Sequence, residues 1–141
     1  MTTTATATPA TSNPAVRTNT AEVAEELVSL CRAGRNADAI KNLYSPDIVS
    51  VESMGNDVMP REMKGIEAIF AKNKWWSENN TVHSAIVEGP FVTEGDKFAV
   101  YYNFDVTSKQ TGQRNQMEEM ALYTVKDGKV VREQFFYRTG P

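Results

Sequence analysis

Arg114-Asn-Gln-Met-Glu-Glu-Met-Ala-Leu-Tyr-Thr-Val-Lys-Asp-Gly-Lys-Val-Val-Arg-Glu-Gln-Phe-Phe-Tyr137 reads as two strands joined by a tight turn. Within it Asp127-Gly128 supplies the positive-φ positions that a two-residue hairpin demands. Along the second strand the alternate residues sort by character. Val131, Glu133, Phe135 and Tyr137 fall on one face, and Arg132, Gln134 and Arg138 on the other. A carboxylate in a row of apolar and aromatic side chains points to a ligand cavity. Along the first strand the neighbours Glu118 and Glu119 must point to opposite faces. Pairing with the Glu133 row favours Met117, Glu119, Ala121, Tyr123 and Val125 as the inward set, although a one-residue slip would exchange the two rows.

Upstream of the hairpin the pattern changes from helical to strand-like. Asn19 followed by Glu22 reads as a capping box, after which Val23, Leu27, Leu30 and Cys31 recur at helical spacing as far as Gly34. A second, short helix capped at Asn36 carries Ile40, Leu43 and Tyr44 on one face, and Ser45-Pro46-Asp47 ends it. Residues 48–53 are rich in β-branched side chains and predict a strand. A polar loop over 54–64 leads to a third helix marked by Ile66, Ile69 and Phe70, running into Trp75-Trp76 and ending near Asn79-Asn80. Strands are expected at 81–88, 97–107, 113–125 and 130–137. Helices come first and strands cluster later, so the fold class is α+β.

The bulk properties narrow the function. The chain has 141 residues, enough for one domain with a real core. A net charge of -3 offers no basic field for phosphates, so nucleic acid is not an expected partner. No apolar run approaches the roughly 18 residues of a membrane span. The single cysteine, Cys31, cannot form an internal disulfide and suits a reducing, cytoplasmic setting. One cysteine and one histidine, His83, among scattered acids make a poor metal site, and no cofactor is expected. Residues 1–19, a Thr/Ala/Pro-rich stretch, read as a flexible tail ahead of a single domain over 20–141.

Three segments carry a family likeness: Leu43-Tyr44-Ser45-Pro46-Asp47-Ile48-Val49-Ser50, Lys64-Gly65-Ile66-Glu67-Ala68-Ile69 and Asp127-Gly128-Lys129-Val130-Val131-Arg132-Glu133. With the element order, they make the chain resemble the SnoaL-like group of the nuclear transport factor 2-like superfamily, relatives of polyketide cyclases and ketosteroid isomerases. The resemblance covers Thr20 to Tyr137. It implies a cone in which a curved antiparallel sheet packs against three N-terminal helices. That cone serves isomerases, cyclases, dehydratases and plain binders, so two classes stay open. One is cofactor-free acid/base catalysis on a hydrophobic carbonyl compound in a conical pocket. The other is a non-catalytic hydrophobic ligand-binding or dimerisation module.

Laid against the isomerase pattern, Glu52 falls at the position of the catalytic base. The isomerase's helical tyrosine falls at Leu27, and the aspartate of its oxyanion hole at Met120 or Ala121. Neither position can donate a hydrogen bond, so steroid isomerisation is disfavoured unless Glu119, Tyr123 or Tyr102 substitutes. Glu133 and Glu119 are the further acid/base candidates. His83, sharing a face with Ala85 and Val87, is a candidate proton shuttle. The row Phe98, Val100, Tyr102, Phe104 and Val106 should face inward, Tyr102 bringing a hydroxyl to an apolar wall. Trp76, Val100, Tyr102, Phe104, Tyr123, Phe135 and Tyr137 are thus the expected ligand-binding residues. Met120, Leu122 and Tyr101 on the outer sheet face leave an apolar patch that predicts a homodimer.

Overall fold

The computed structural model describes residues 14–57 and 59–140. The order is α1 (Pro14–Arg32), α2 (Asn36–Leu43), β1 (Tyr44–Val51), β2 (Glu62–Lys64), α3 (Ile66–Asn79), β3 (Asn80–Val92), β4 (Lys97–Ser108), β5 (Arg114–Lys126) and β6 (Lys129–Phe136). Three helices pack on one six-stranded, curved, open sheet in the order β2-β1-β6-β5-β4-β3. The expected architecture is therefore present, with one correction. The sheet is mixed, because β1 lies parallel to β6 while every other pair is antiparallel. Pairing between the first long strand and the last is non-local, and alternation within either segment carries no sign of its direction.

Several boundaries move. The first helix opens at Pro14, so Asn19 lies inside it and caps nothing, and positions 14–19 of the expected tail are helical. Residues 1–13 of that tail lie outside the described residues. Tyr44 belongs to β1 and not to the preceding helix. A three-residue strand, β2, rises from the predicted loop by pairing with β1. Gly89-Pro90 does not end β3. The strand absorbs the dipeptide in a register shift between Glu88 and Phe91, where a proline without an N–H can sit in a ladder.

The β5–β6 turn is as read: Asp127 and Gly128 both have positive φ, 52° and 75°. Just beyond it the ladder slips, pairing Thr124 with Arg132 but Val125 with Val130. That bulge displaces Val131 and brings Val130, fully buried, onto the inner face. Val131 thus does not belong to the Glu133 row. The register of β4 on β5 sets Phe98 opposite Tyr123, Val100 opposite Ala121, Tyr102 opposite Glu119 and Phe104 opposite Met117. Of these, Phe98, Val100, Tyr102, Ala121 and Tyr123 join Leu27 and Val28 of α1, Ile40 of α2 and Ile69 of α3 in one core, against which Phe104 packs. No described helix is long and apolar enough to cross a membrane.

Candidate active site

The inner face of the sheet and the three helices enclose an open concavity. Its wall includes Leu27, Cys31, Ile40, Tyr44, Glu52, Ile69, Lys72, Trp76, Tyr102, Phe104, Glu119, Tyr123, Glu133, Phe135 and Tyr137. Glu52, Glu119 and Glu133, separated by as many as 81 positions in sequence, are brought to one space. The odd row of β5 is the inward row, since Glu119 lies opposite Tyr102 while Glu118 lies opposite Asn103 and is exposed. Glu118 instead accepts a 2.6 Å bond from Tyr101 on the outer face.

Glu133 is the most deeply set of the three, 3% exposed. The parallel register places Ser50 beside it, and the fully buried Ser50 hydroxyl donates to Oε2 at 2.7 Å. Tyr44 donates its hydroxyl to Oε1. Burial pushes the Glu133 carboxyl above its ordinary range, against the opposing pull of Lys72 and of these two bonds. Glu52, just past the end of β1, receives Lys72 Nζ on Oε2 at 2.7 Å and Tyr137 Oη on Oε1 at 2.9 Å. The same Lys72 ammonium donates to Ser50 Oγ at 2.7 Å and lies 5.3 Å from the centre of the Phe135 ring. A continuous chain of hydrogen bonds therefore links Tyr44, Glu133, Ser50, Lys72, Glu52 and Tyr137.

Glu119 stands apart from that chain. Among the described residues nothing donates a hydrogen bond to it or forms an ion pair with it. Desolvation, then the charges of Glu52 and Glu133, push its carboxyl up to about 7, with Lys72 pulling the other way. A second polar group lines the α1 side. Tyr102 and Tyr123 hydroxyls lie 2.8 Å apart, and Tyr102 Oη reaches Cys31 Sγ at 3.7 Å. Burial keeps both phenols protonated and lifts the Cys31 thiol to about 11, so all three are neutral. Trp76 meets Phe104 with ring centres 5.7 Å apart, and Tyr102 stacks on Phe104 at 5.6 Å.

Two expected site residues are placed elsewhere. His83 is the extra residue of a β3 bulge between Val82 and Ser84, which turns it out of the row of Ala85 and Val87. Its exposed ring pairs with Thr107 Oγ1 at 2.7 Å and does not line the concavity. Val100 faces inward but is fully buried, filling the core and not the cavity wall. Among the described residues no three His, Cys, Asp or Glu side chains are placed so that they could hold a metal ion.

A family model for the SnoaL-like domain matches residues 18–137, nearly the whole described chain. The chain belongs to the SnoaL-like family. A protein of this family from Mesorhizobium loti, provisionally named a polyketide cyclase and also a carbohydrate phosphatase, is 44% identical. The alignment covers 83% of this chain and 97% of that one, with a TM-score of 0.78. A provisional SnoaL-like polyketide cyclase from Jannaschia sp. CCS1 superposes at 0.68 with 19% identity, over 91% and 90% of the two chains. A provisional isomerase from Bacillus subtilis superposes at 0.66 with 14% identity, over 86% and 87%. At those identities the last two attest the fold alone. No functionally curated protein matches the chain.

The SnoaL-like frame leaves Lys72 and Tyr44 on the wall, and Ser50 buried behind it, as polar residues of the site that the sequence reading did not select. Lys72 could have been found, because Ile69, Lys72 and Trp76 share one helical face at spacings of three and four. Ser50 gave no signal, since a lone serine among β-branched residues is ordinary.

Proposed function

We propose that the protein is a cofactor-free acid/base enzyme acting on a hydrophobic carbonyl compound, of the isomerase, cyclase or dehydratase type. The observation that carries this reading is Glu119: an unpaired carboxyl on an apolar wall, with its proton balanced near neutrality. A group at about 7 is half protonated at physiological pH, where proton transfer in either direction is most effective. Glu52 is less suited to that role than the family pattern implies, because Lys72 and Tyr137 already occupy both of its oxygens. Its charge instead helps hold the proton on Glu119.

Tyr102 supplies the second requirement, a donor for the developing oxygen charge. Its hydroxyl is paired with that of Tyr123, and its other partner among the described residues is a thiol at 3.7 Å, a weak acceptor that a ligand oxygen displaces at little cost. Trp76, Phe104 and Phe135 offer the flat apolar surface on which a cyclic ketone lies. A purely passive binder needs such walls but has no use for a carboxyl kept at about 7 by its neighbours.

Glu52→Gln separates the roles. The variant is expected to fold, to keep turnover within about tenfold, and to shift the acidic limb of the pH–rate profile downward, since a neighbouring negative charge is gone. Loss of turnover by a hundredfold or more at every pH would return the base role to Glu52. The test starts from the compound that co-purifies with the protein, identified by mass spectrometry.

The outer face of the sheet sets Met120 opposite both Tyr101 and Phe136, with Met120 44% and Phe136 48% exposed. Such an apolar strip is disfavoured in water, and a second copy of the chain is expected to cover it. Sedimentation at micromolar concentration should give a dimer, and Met120→Glu a monomer. A monomeric wild type would refute the assignment.

A further inference from the structure

One cation holds two of the three carboxyls in the concavity. Lys72 Nζ sits 2.7 Å from Glu52 Oε2 and 2.7 Å from Ser50 Oγ, and Ser50 hands its own proton to Glu133 Oε2 at 2.7 Å. The ammonium thereby fastens α3 to β1 directly and to β6 through one hydroxyl. The side chains of Lys72 and Glu52 are only 16% and 20% exposed, so solvent screens this pair much less than a surface ion pair.

The other groups bearing on Lys72 are Tyr44 from the start of β1, Tyr137 beyond β6 and Glu119 from β5, with the Phe135 ring beneath it. Neither tyrosine carries a charge at neutral pH. Glu118, turned to the outer face and paired with Tyr101, and the exposed Arg138 border the cavity, but the charges that act on Glu119 are those of Glu52, Glu133 and Lys72. An ammonium has three protons to donate, and two of them are committed to Ser50 and Glu52. Glu119, across the cavity on β5, receives none.

We infer that Lys72 is the positioning residue of this cavity: by holding Glu52 directly and Glu133 through Ser50, it leaves Glu119 as the one carboxyl free to trade a proton with a ligand. The role follows from where the ammonium is anchored. Held on the β1 side, it neutralises one neighbour of Glu119 and acts on Glu119 only through space. Remove it and the Glu52 carboxylate confronts Glu119 without compensation, so Glu119 keeps its proton to a higher pH. Lys72 acts through Glu119 and touches no reacting atom. The inference rests on the reading of Glu119 as the proton-exchanging group, and its test needs no substrate.

The experiment is an NMR titration of the glutamate carboxyl carbons in wild type, Lys72→Met and Lys72→Arg, with Glu119→Gln to assign the resonance. The wild-type midpoint of Glu119 should lie near 7. In Lys72→Met it should rise by about one pH unit or more, the size expected when an opposite charge leaves a half-buried site. In Lys72→Arg, which retains the charge, it should return to within about half a unit of wild type. A midpoint unmoved in Lys72→Met overturns the inference, and so does an equal rise in both variants, which would mark a packing effect and not charge. Should Lys72→Met fail to fold, Lys72→Gln provides the same neutral comparison. Because binding and turnover play no part, failure here leaves the acid/base reading to be judged by the Glu119→Gln rate.

Discussion

Replacing Glu119 with glutamine is expected to lower turnover by a hundredfold or more while raising stability at alkaline pH. The rate follows from chemistry: a positioned acid/base group contributes about 10²–10⁴-fold, and an amide can neither give nor take the proton. The stability follows from linkage. The carboxyl is held at about 7 in the folded chain against 4.5 for the free side chain. A group whose pKa is raised on folding contributes stability in full below the unfolded value, and loses it as pH climbs through the folded one. Wild type should therefore weaken between about pH 4.5 and 7, by up to roughly 3 kcal/mol from this residue. Glutamine is uncharged throughout and removes that slope. The two proteins should melt together at pH 4 and diverge by pH 8, with Glu119→Gln the more stable. Denaturant titrations at the two pH values check the sign. If glutamine is the less stable at pH 8, Glu119 makes a stabilising contact in its ionised form and is not a strained functional acid.

The helices and the late strands were legible because each is written in local periodicity. The inward face of Glu119 was expected, but the turn alone does not give it: a two-residue Asp127-Gly128 hairpin would set Leu122 opposite Glu133, and it is the bulge at Val131 that sets Tyr123 there and brings the Glu119 row onto the Glu133 face. What failed were single-residue offsets. Bulges at His83 and Val131 add one residue to a strand, and alternation past such a point assigns the wrong face. Nothing local to Thr81-Val82-His83-Ser84 announces the extra residue. The parallel seating of β1 on β6 was equally silent, and with it the Ser50–Glu133 contact that the seating creates. Lys72 reads as a solvated charge until the apolar neighbours at Ile69 and Trp76 are counted on its own face.

Glu133→Leu should destabilise the fold by about 2–4 kcal/mol, lowering the melting temperature by roughly 5–12 °C for a chain of this size. Leucine fits an apolar wall, so the loss comes from the partners left behind. Tyr44 is buried and gives its proton only to Glu133, and the Ser50 proton has the same acceptor. An orphaned buried donor costs about 1–3 kcal/mol, whereas removing donor and acceptor together can be almost neutral. The discriminating measurement is therefore a triple variant, Glu133→Leu with Tyr44→Phe and Ser50→Ala, which should recover most of what the single change loses. Relief of the buried carboxyl works the other way, since burial has already pushed Glu133 upward, and this keeps the net loss moderate. It also makes the loss pH-dependent. A raised pKa means that wild type is best served by a protonated Glu133, so the penalty of the leucine variant should be greatest in acid and shrink as pH rises. A penalty that grows with pH would mean that the Lys72 and Ser50 contacts, and not burial, govern this carboxyl.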